Sequence, residues 1–143
     1  MYPEYRIIGE DLPGGLAEYV VVPAANVDPK SESLDWKTAA ALPGAFTTAY
    51  RMVITVGDLD PSETALILGA SGGVGHAALQ LAELVGATVY ATTSTEAKAK
   101  RVREWADTVI DYTGVPFDER VIELTDGHGV DLVADHVGQD TWQ

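Results

Sequence analysis

The sequence predicts an α/β fold in which a parallel sheet of about four strands is flanked by helices. Short apolar runs alternate with helix-length segments from Thr64 onward, and a glycine-rich turn follows the first run. Strands separated by helical stretches form right-handed βαβ units around a parallel sheet. The composition agrees, because 143 residues that are 46% hydrophobic and 22% charged can bury the core of about one domain.

The expected elements follow one another along the second part of the chain. The predicted strands are TALILG, ATVYATT, DTVIDY and VDLVADHV, and the predicted helices lie at 73–85, 95–105 and 117–125. The first helix has the clearest apolar face, and Gly86 stands where a C-cap is expected. The spacing of Thr93 and Glu96 predicts a capping box at the start of the second helix.

The first part of the chain has a different pattern. Residues 16–23 (LAEYVVVP) are rich in β-branched and aromatic residues and follow a Pro-Gly-Gly turn, so they predict a strand. A short helix is expected from residue 33 until Pro43 and Gly44 end it. A second helix is expected at about 45–55.

The charge and the cysteine count exclude several functions. Asp and Glu number 22 against 9 Lys and Arg, and the formal net charge of −13 disfavours binding to nucleic acid or to an anionic membrane. A solvated surface, a partner-repelling face and adaptation to a salty (halophilic) cytosol all remain possible explanations. The chain has no cysteine, which removes disulfides, thiolate nucleophiles and Cys-based zinc sites.

No segment predicts a membrane span or a secretory signal, so a cytoplasmic location is expected. A metal would depend on carboxylates and on His76, His128 and His136. These histidines lack the spacing of metal ligands, so no metal site is expected within this chain.

The glycine-rich turn predicts a dinucleotide site. Gly69, Gly72 and Gly75 have the spacing at which a tight turn, a close phosphate and close helix packing each require glycine. The helix that follows offers free N–H groups to a diphosphate, and the residues of this site would include Ser71, Gly73 and Val74. A phosphate-binding P-loop is excluded because His76, not Lys, follows the last glycine. A purely structural turn or another nucleotide-like ligand is the alternative.

The end of the second strand bears on the choice between NAD and NADP. Thr93 and Ser94 stand where an acidic residue would bind the ribose of NAD and repel a 2′-phosphate. A basic cluster follows, consisting of Lys98, Lys100, Arg101 and Arg103. We therefore expect NADP, with NAD still possible, and expect Lys98 and Arg101 to bind the phosphate. A solvated helix face is the alternative explanation of the cluster.

Four segments together resemble one family. GGLAEYVVVP, AAALPGAFTTAYRMV, LILGASGGVGHAALQLAELVGA and GVDLVADHVG are similar to the medium-chain dehydrogenase/reductases, the superfamily of zinc-type alcohol dehydrogenases and quinone oxidoreductases. The resemblance covers nearly the whole chain. It implies that residues 1–42 are the C-terminal part of a GroES-like substrate domain and that residues 43–143 are a truncated NAD(P)-binding Rossmann domain.

The resemblance also bears on Thr48 and Gly44, and the position of His136 adds a further site residue. Thr48 would lie beside the nicotinamide and the substrate. Gly44 stands where zinc members have a cysteine ligand, so zinc would be used only in parts of the family unit outside this chain, if at all. His136 follows the fourth strand at the sheet edge where ligands bind, and we expect it to border the cofactor.

The expected activity is hydride transfer between NAD(P) and a small-molecule alcohol, carbonyl or quinone. The alternative is a non-catalytic dinucleotide-binding module that needs missing sequence or a partner chain. The fourth strand would form an open sheet edge in this chain, so pairing with a second copy or with missing sequence is expected. The family's dimers and tetramers likewise suggest a homo-oligomer.

Overall fold

The computed structural model describes residues 5–139 and 141. The chain forms two compact units, of which the first ends at Asp35 and the second begins at Trp36. The division between the units thus precedes the expected boundary between residues 42 and 43. That expected boundary falls inside the first helix of the second unit.

The first unit contains little regular structure. It has a 3-10 turn at Ala24–Asn26 and an isolated bridge between Ile8 and Leu12. The strand predicted at 16–23 was wrong, because none of these residues is assigned to a strand. A strand is stabilised by hydrogen bonds to a neighbouring strand, and the described part of this unit provides none here. Tyr19 and Val21 are accordingly 91% and 100% exposed.

The second unit opens with a long helix, α1 (Trp36–Tyr50), which continues into a wider π-helical turn at Arg51–Val56. The helix end predicted near Pro43 and Gly44 was wrong, since Pro43 lies inside α1. An internal proline costs about 3 kcal/mol. Packing offsets this cost, because Ala49 and Val53 are fully buried in the main core.

Four parallel strands form one sheet in the order β3-β2-β1-β4. The strands are β1 (Thr64–Ile67), β2 (Thr88–Thr93), β3 (Thr108–Asp111) and β4 (Leu132–Ala134), and the helices between them are α2 (Gly73–Val85), α3 (Glu96–Val102) and α4 (Phe117–Leu124). This arrangement confirms the predicted α/β fold. Because every strand runs in the same direction, all carboxyl ends meet at one edge.

The sheet is buried on both faces near its centre. Ala65 and Ile67 of β1 belong to the core that includes α1 and α2, whereas Leu66 and Leu68 belong to a second core with Val121 of α4. Double burial of this kind is typical of a parallel sheet covered by helices. Among the described helices, none is both long enough and apolar enough to cross a membrane.

The end of α2 agrees with the sequence-based prediction, whereas the start of α3 differs from it. Gly86 caps α2 in the left-handed conformation at φ +91°, as predicted. The capping box predicted at Thr93 was wrong, because Thr93 is the last residue of β2 and the N-cap of α3 is Thr95. The Oγ1 atom of Thr95 accepts a hydrogen bond from the Lys98 N–H at 3.3 Å.

Candidate functional site

The turn between β1 and α2 requires glycine at Gly69 for two reasons. Gly69 has φ +59°, a left-handed conformation that side chains disfavour. A β-carbon there would also lie 2.9 Å from Cγ2 of Val137 and 3.3 Å from Cε1 of His136. The loop after β4 is therefore packed directly against the turn.

Close packing of α2 on the same turn requires glycine at Gly75. A β-carbon on Gly75 would lie 2.8 Å from Cα of Ala70 and still closer to the carbonyl oxygen of Gly69. Both contacts are shorter than van der Waals distance and both involve backbone atoms, which cannot rotate away. The first turn of α2 thus lies against the carboxyl end of β1.

The N-terminus of α2 can receive an anion. Gly72 is its N-cap, no side chain caps it, and the first turn has no acidic residue. A β-carbon at Gly73 would meet only Cβ of Ala45, at 3.8 Å. Val74 packs against the main core, and Ser71 is half-buried beside the turn. The backbone N–H groups and the positive end of the helix dipole are therefore available to a phosphate.

Hydrogen bonds tie the turn to the neighbouring strand β2. The Gly69 N–H donates to Oγ1 of Thr92 at 3.3 Å, and the Ala70 N–H donates to the carbonyl oxygen of Thr92 at 3.3 Å. Thr92 is buried, so these bonds are protected from water. They hold the turn in register with the end of β2.

Thr93 is buried without a partner for its hydroxyl group. It is 2% exposed, and its Oγ1 atom has no hydrogen-bond partner in the described part of the chain. A buried polar group left unsatisfied costs about 1–3 kcal/mol. A ligand hydroxyl or phosphate at this end of β2 would remove that cost, so a dinucleotide fits the residues present.

Replacing Thr93 by valine should raise stability and weaken binding at the same time. We expect Thr93→Val to increase the free energy of unfolding by about 1 kcal/mol, because an unsatisfied hydroxyl is lost. NADPH affinity should fall about fivefold to tenfold, which corresponds to the loss of one hydrogen bond. Chemical denaturation and calorimetric titration measure the two effects.

The matched control is Thr92→Val, which removes a hydroxyl that already accepts the Gly69 N–H. This variant should lose stability, because a backbone donor is left unsatisfied. A Thr93→Val protein that is less stable, or that binds NADPH unchanged, would contradict the assignment.

The basic residues of α3 and of its C-cap differ in their contacts. Lys98 donates from Nζ to Oγ of Ser94 at 3.0 Å, close to the end of β2. Arg103 donates to both carboxylate oxygens of Glu96, at 2.7 and 3.0 Å. This bidentate bond lowers the pKa of Glu96 and raises the pKa of Arg103. Arg101 is exposed and shares a helix face with Lys98.

A small cavity lies at the carboxyl ends of the strands. Its volume is about 140 Å³, and it is lined by Gly69, Thr92, Tyr112, Phe117, Val137 and Thr141. Sequence reasoning missed this cavity. Tyr112 could have been found from its position, since it follows β3 at the sheet edge where ligands bind.

The remaining candidates do not line this cavity and have contacts of their own. Thr48 is exposed on α1, and its hydroxyl donates to the carbonyl oxygen of Gly44 at 3.0 Å. The ring of His76 packs edge-on against Trp105, with centroids 6.3 Å apart. His128 contacts the carbonyl oxygen of Thr125 through Nδ1 at 2.9 Å. Residues 5–139 and 141 contain no cluster of three or more side chains that could hold a metal.

Comparisons with known proteins agree with this geometry. A family model described as "Zinc-binding dehydrogenase" matches residues 73–143. A phenolphthiocerol/phthiocerol polyketide synthase of Mycobacterium tuberculosis is 38% identical over 122 residues, which are 85% of this chain and 6% of that protein. This chain therefore spans only a small part of that relative.

Two solved structures share the fold. An NAD-dependent alcohol dehydrogenase has a TM-score of 0.88 and 42% identity, over 95% of this chain and 40% of the other. The nucleotide-binding subdomain of the enoylreductase domain of PpsC from Mycobacterium tuberculosis has a TM-score of 0.62 and 39% identity, over 68% of this chain and 55% of the other.

The fold and the glycine turn define a Rossmann-type domain. The chain belongs to the medium-chain dehydrogenase/reductase superfamily, whose members bind NAD(P).

Proposed function

We propose that this chain is the dinucleotide-binding part of an NAD(P)-dependent oxidoreductase of the alcohol dehydrogenase or quinone reductase type. The observation that carries the proposal is the close packing of α2 on the glycine-rich turn, which is possible because Gly75 has no side chain. The bound nicotinamide would supply hydride chemistry to a small-molecule substrate. The residues of this chain bind and orient the cofactor.

The diphosphate is proposed to lie on the N-terminus of α2, where the cofactor-binding backbone is Gly69, Ser71, Gly72, Gly73, Val74 and Gly75. The adenosine end would enter the cavity beside Tyr112. The hydroxyl of Thr93, which ends β2 and is buried without a described partner, is proposed to contact the adenosine ribose.

NADP is the proposed cofactor. Thr93 and Ser94 carry no negative charge to repel a 2′-phosphate, and Lys98 is held near them by its bond to Ser94. Arg101 lies on the same face of α3 and completes the proposed phosphate site. Calorimetric titration of the chain with NADPH and with NADH tests the proposal. Tighter binding of NADPH supports it, and absence of heat with both would overturn the dinucleotide site itself.

The substrate proposed is an alcohol, a carbonyl compound or a quinone, and Thr48 is proposed to approach it beside the nicotinamide. Gly44 offers no side chain to a metal at the position of the family's cysteine ligand, which supports a site without zinc there. The cytoplasmic location stays a prediction from the sequence.

Reduction of an enoyl thioester is a second candidate, favoured by the similarity to the enoylreductase subdomain. Incubating the chain with NADPH and, in turn, a ketone, a quinone and a crotonyl thioester distinguishes the candidates by NADPH absorbance. Binding without turnover of any of the three would favour a module that needs further polypeptide.

We also propose that the chain self-associates through β4. This strand pairs with β1 and lies at the edge of the described sheet, and Val133 is 51% exposed. An open apolar edge favours strand pairing between copies. Light scattering should give about twice the monomer mass.

A lysine at the edge should prevent this association, so Val133→Lys should be monomeric. The same substitution at exposed Val115, which lies outside every strand, should leave the mass unchanged. A monomeric parent chain would contradict the proposal.

A further inference from the structure

The diphosphate site has no charged side chain within its glycine turn. Residues 69–75 are glycine, alanine, serine and valine. His76 follows them, but its ring packs against Trp105. In a chain with a net charge of −13, a positive side chain beside the turn would add to the helix dipole and offset the repulsion of an anionic ligand.

His136 is placed to supply that charge. Its ring lies over the turn, so that a β-carbon on Gly69 would be 3.4 Å from Nε2 and one on Gly72 would be 3.7 Å from the same atom. The side chain is exposed, and its ring makes no hydrogen bond to another described residue. Nε2 is therefore available beside the N-cap of α2.

We propose that His136 binds the diphosphate through Nε2 and makes the affinity of the site depend on pH. This inference rests on the proposed dinucleotide function. An imidazolium donates a charge-assisted hydrogen bond to a phosphate oxygen, whereas a neutral imidazole lacks the charge. Histidine side chains gain their proton between about pH 8 and pH 5. Affinity is therefore high when the ring is protonated and falls as pH rises through that range.

Among the described residues that line or follow the turn, His76 carries a second imidazole, and its ring packs against Trp105. The turn packed against His136 and the end of β2, with Thr92 and Thr93, carry no ionisable carboxylate or amine. On the loop of His136, the carboxylate of Asp135 accepts hydrogen bonds from the Val137 N–H at 2.7 Å and from the Thr141 hydroxyl at 2.6 Å. The nearby cavity adds the phenol of Tyr112.

The test uses ADP-ribose, which contains the diphosphate but no 2′-phosphate. A phosphate monoester titrates near pH 6 and would obscure the effect. We expect the affinity of the parent chain, measured by calorimetry, to fall about tenfold between about pH 5.5 and pH 8.5. His136→Asn should bind with the weaker affinity at every pH. His128→Asn, which changes a histidine elsewhere in the second unit, should keep the slope of the parent chain.

The outcomes separate this inference from the proposed function. If His136→Asn retains the pH slope, or binds ADP-ribose as tightly as the parent chain at low pH, His136 is not the diphosphate ligand although the site exists. If neither protein binds ADP-ribose at any pH while both show the same cooperative thermal unfolding, the dinucleotide site itself is wrong.

Discussion

Replacing Gly75 by alanine is expected to lower the free energy of unfolding by about 1–3 kcal/mol, the usual cost of overpacking, or by more. The added methyl group would lie 2.8 Å from Cα of Ala70 and would overlap the Gly69 carbonyl oxygen, and only a shift of α2 away from β1 relieves these contacts. Thermal unfolding should report a midpoint lowered by about 5–15 °C. Binding of NADPH should be lost as well, because the same shift removes the helix N–H groups from the phosphate.

Gly73→Ala is the matched control, since it adds the same atom in the first turn of the same helix. Its β-carbon would make only an ordinary contact of 3.8 Å with Ala45. Stability should change by no more than about 0.5 kcal/mol. Equal losses of stability in Gly75→Ala and Gly73→Ala would contradict the close packing at Gly75. They would indicate instead that the turn tolerates no added methyl group at either position.

Removing two positive charges from α3 is expected to reduce NADPH affinity about a hundredfold and leave NADH affinity nearly unchanged. The variant is Lys98→Gln with Arg101→Gln. Hydrogen bonds to a charged group contribute about 1.5–3 kcal/mol each, and NADH has no 2′-phosphate to receive them. Titration of both cofactors against the variant measures the change in preference.

Arg103→Gln controls for net charge, because Arg103 lies next to α3 and is already bound to Glu96. Loss of this exposed pair should alter NADPH binding less than twofold, the size of a weak surface interaction. If Arg103→Gln lost as much NADPH affinity as the double variant, the effect would come from the total charge and not from contacts of Lys98 and Arg101. An equal loss of NADH affinity in the double variant would show that Lys98 and Arg101 do not recognise the 2′-phosphate.

Local patterns predicted the βαβ region well. An apolar run such as TALIL specifies a strand buried on both faces, and an apolar stripe ending at Gly86 specifies α2 together with its cap. These signals are contained within the segments themselves. The right-handed crossover sets the face of the sheet on which each connecting helix packs, but it does not set the order of the strands.

The errors arose where distant contacts decide the local structure. Residues 16–23 have the composition of a strand, but a strand also needs a partner, which the described first unit does not offer. Pro43 is a strong helix breaker in isolation, yet burial of Ala49 in the main core keeps α1 continuous. Propensity was overridden in both cases by the presence or absence of packing.

The amino acids alone were sufficient to locate a glycine-rich turn between a strand and a helix, because glycine spacing and helix periodicity are properties of contiguous residues. Folding decided which distant groups surround that turn. The ring of His136 reaches Gly69 because β4 pairs with β1, and the buried hydroxyl of Thr93 has no hydrogen-bond partner among the described residues. The structure also distinguishes two basic residues, because Arg103 is bound to Glu96 whereas Lys98 is bound to Ser94. Such contacts depend on three-dimensional packing, which no local pattern encodes.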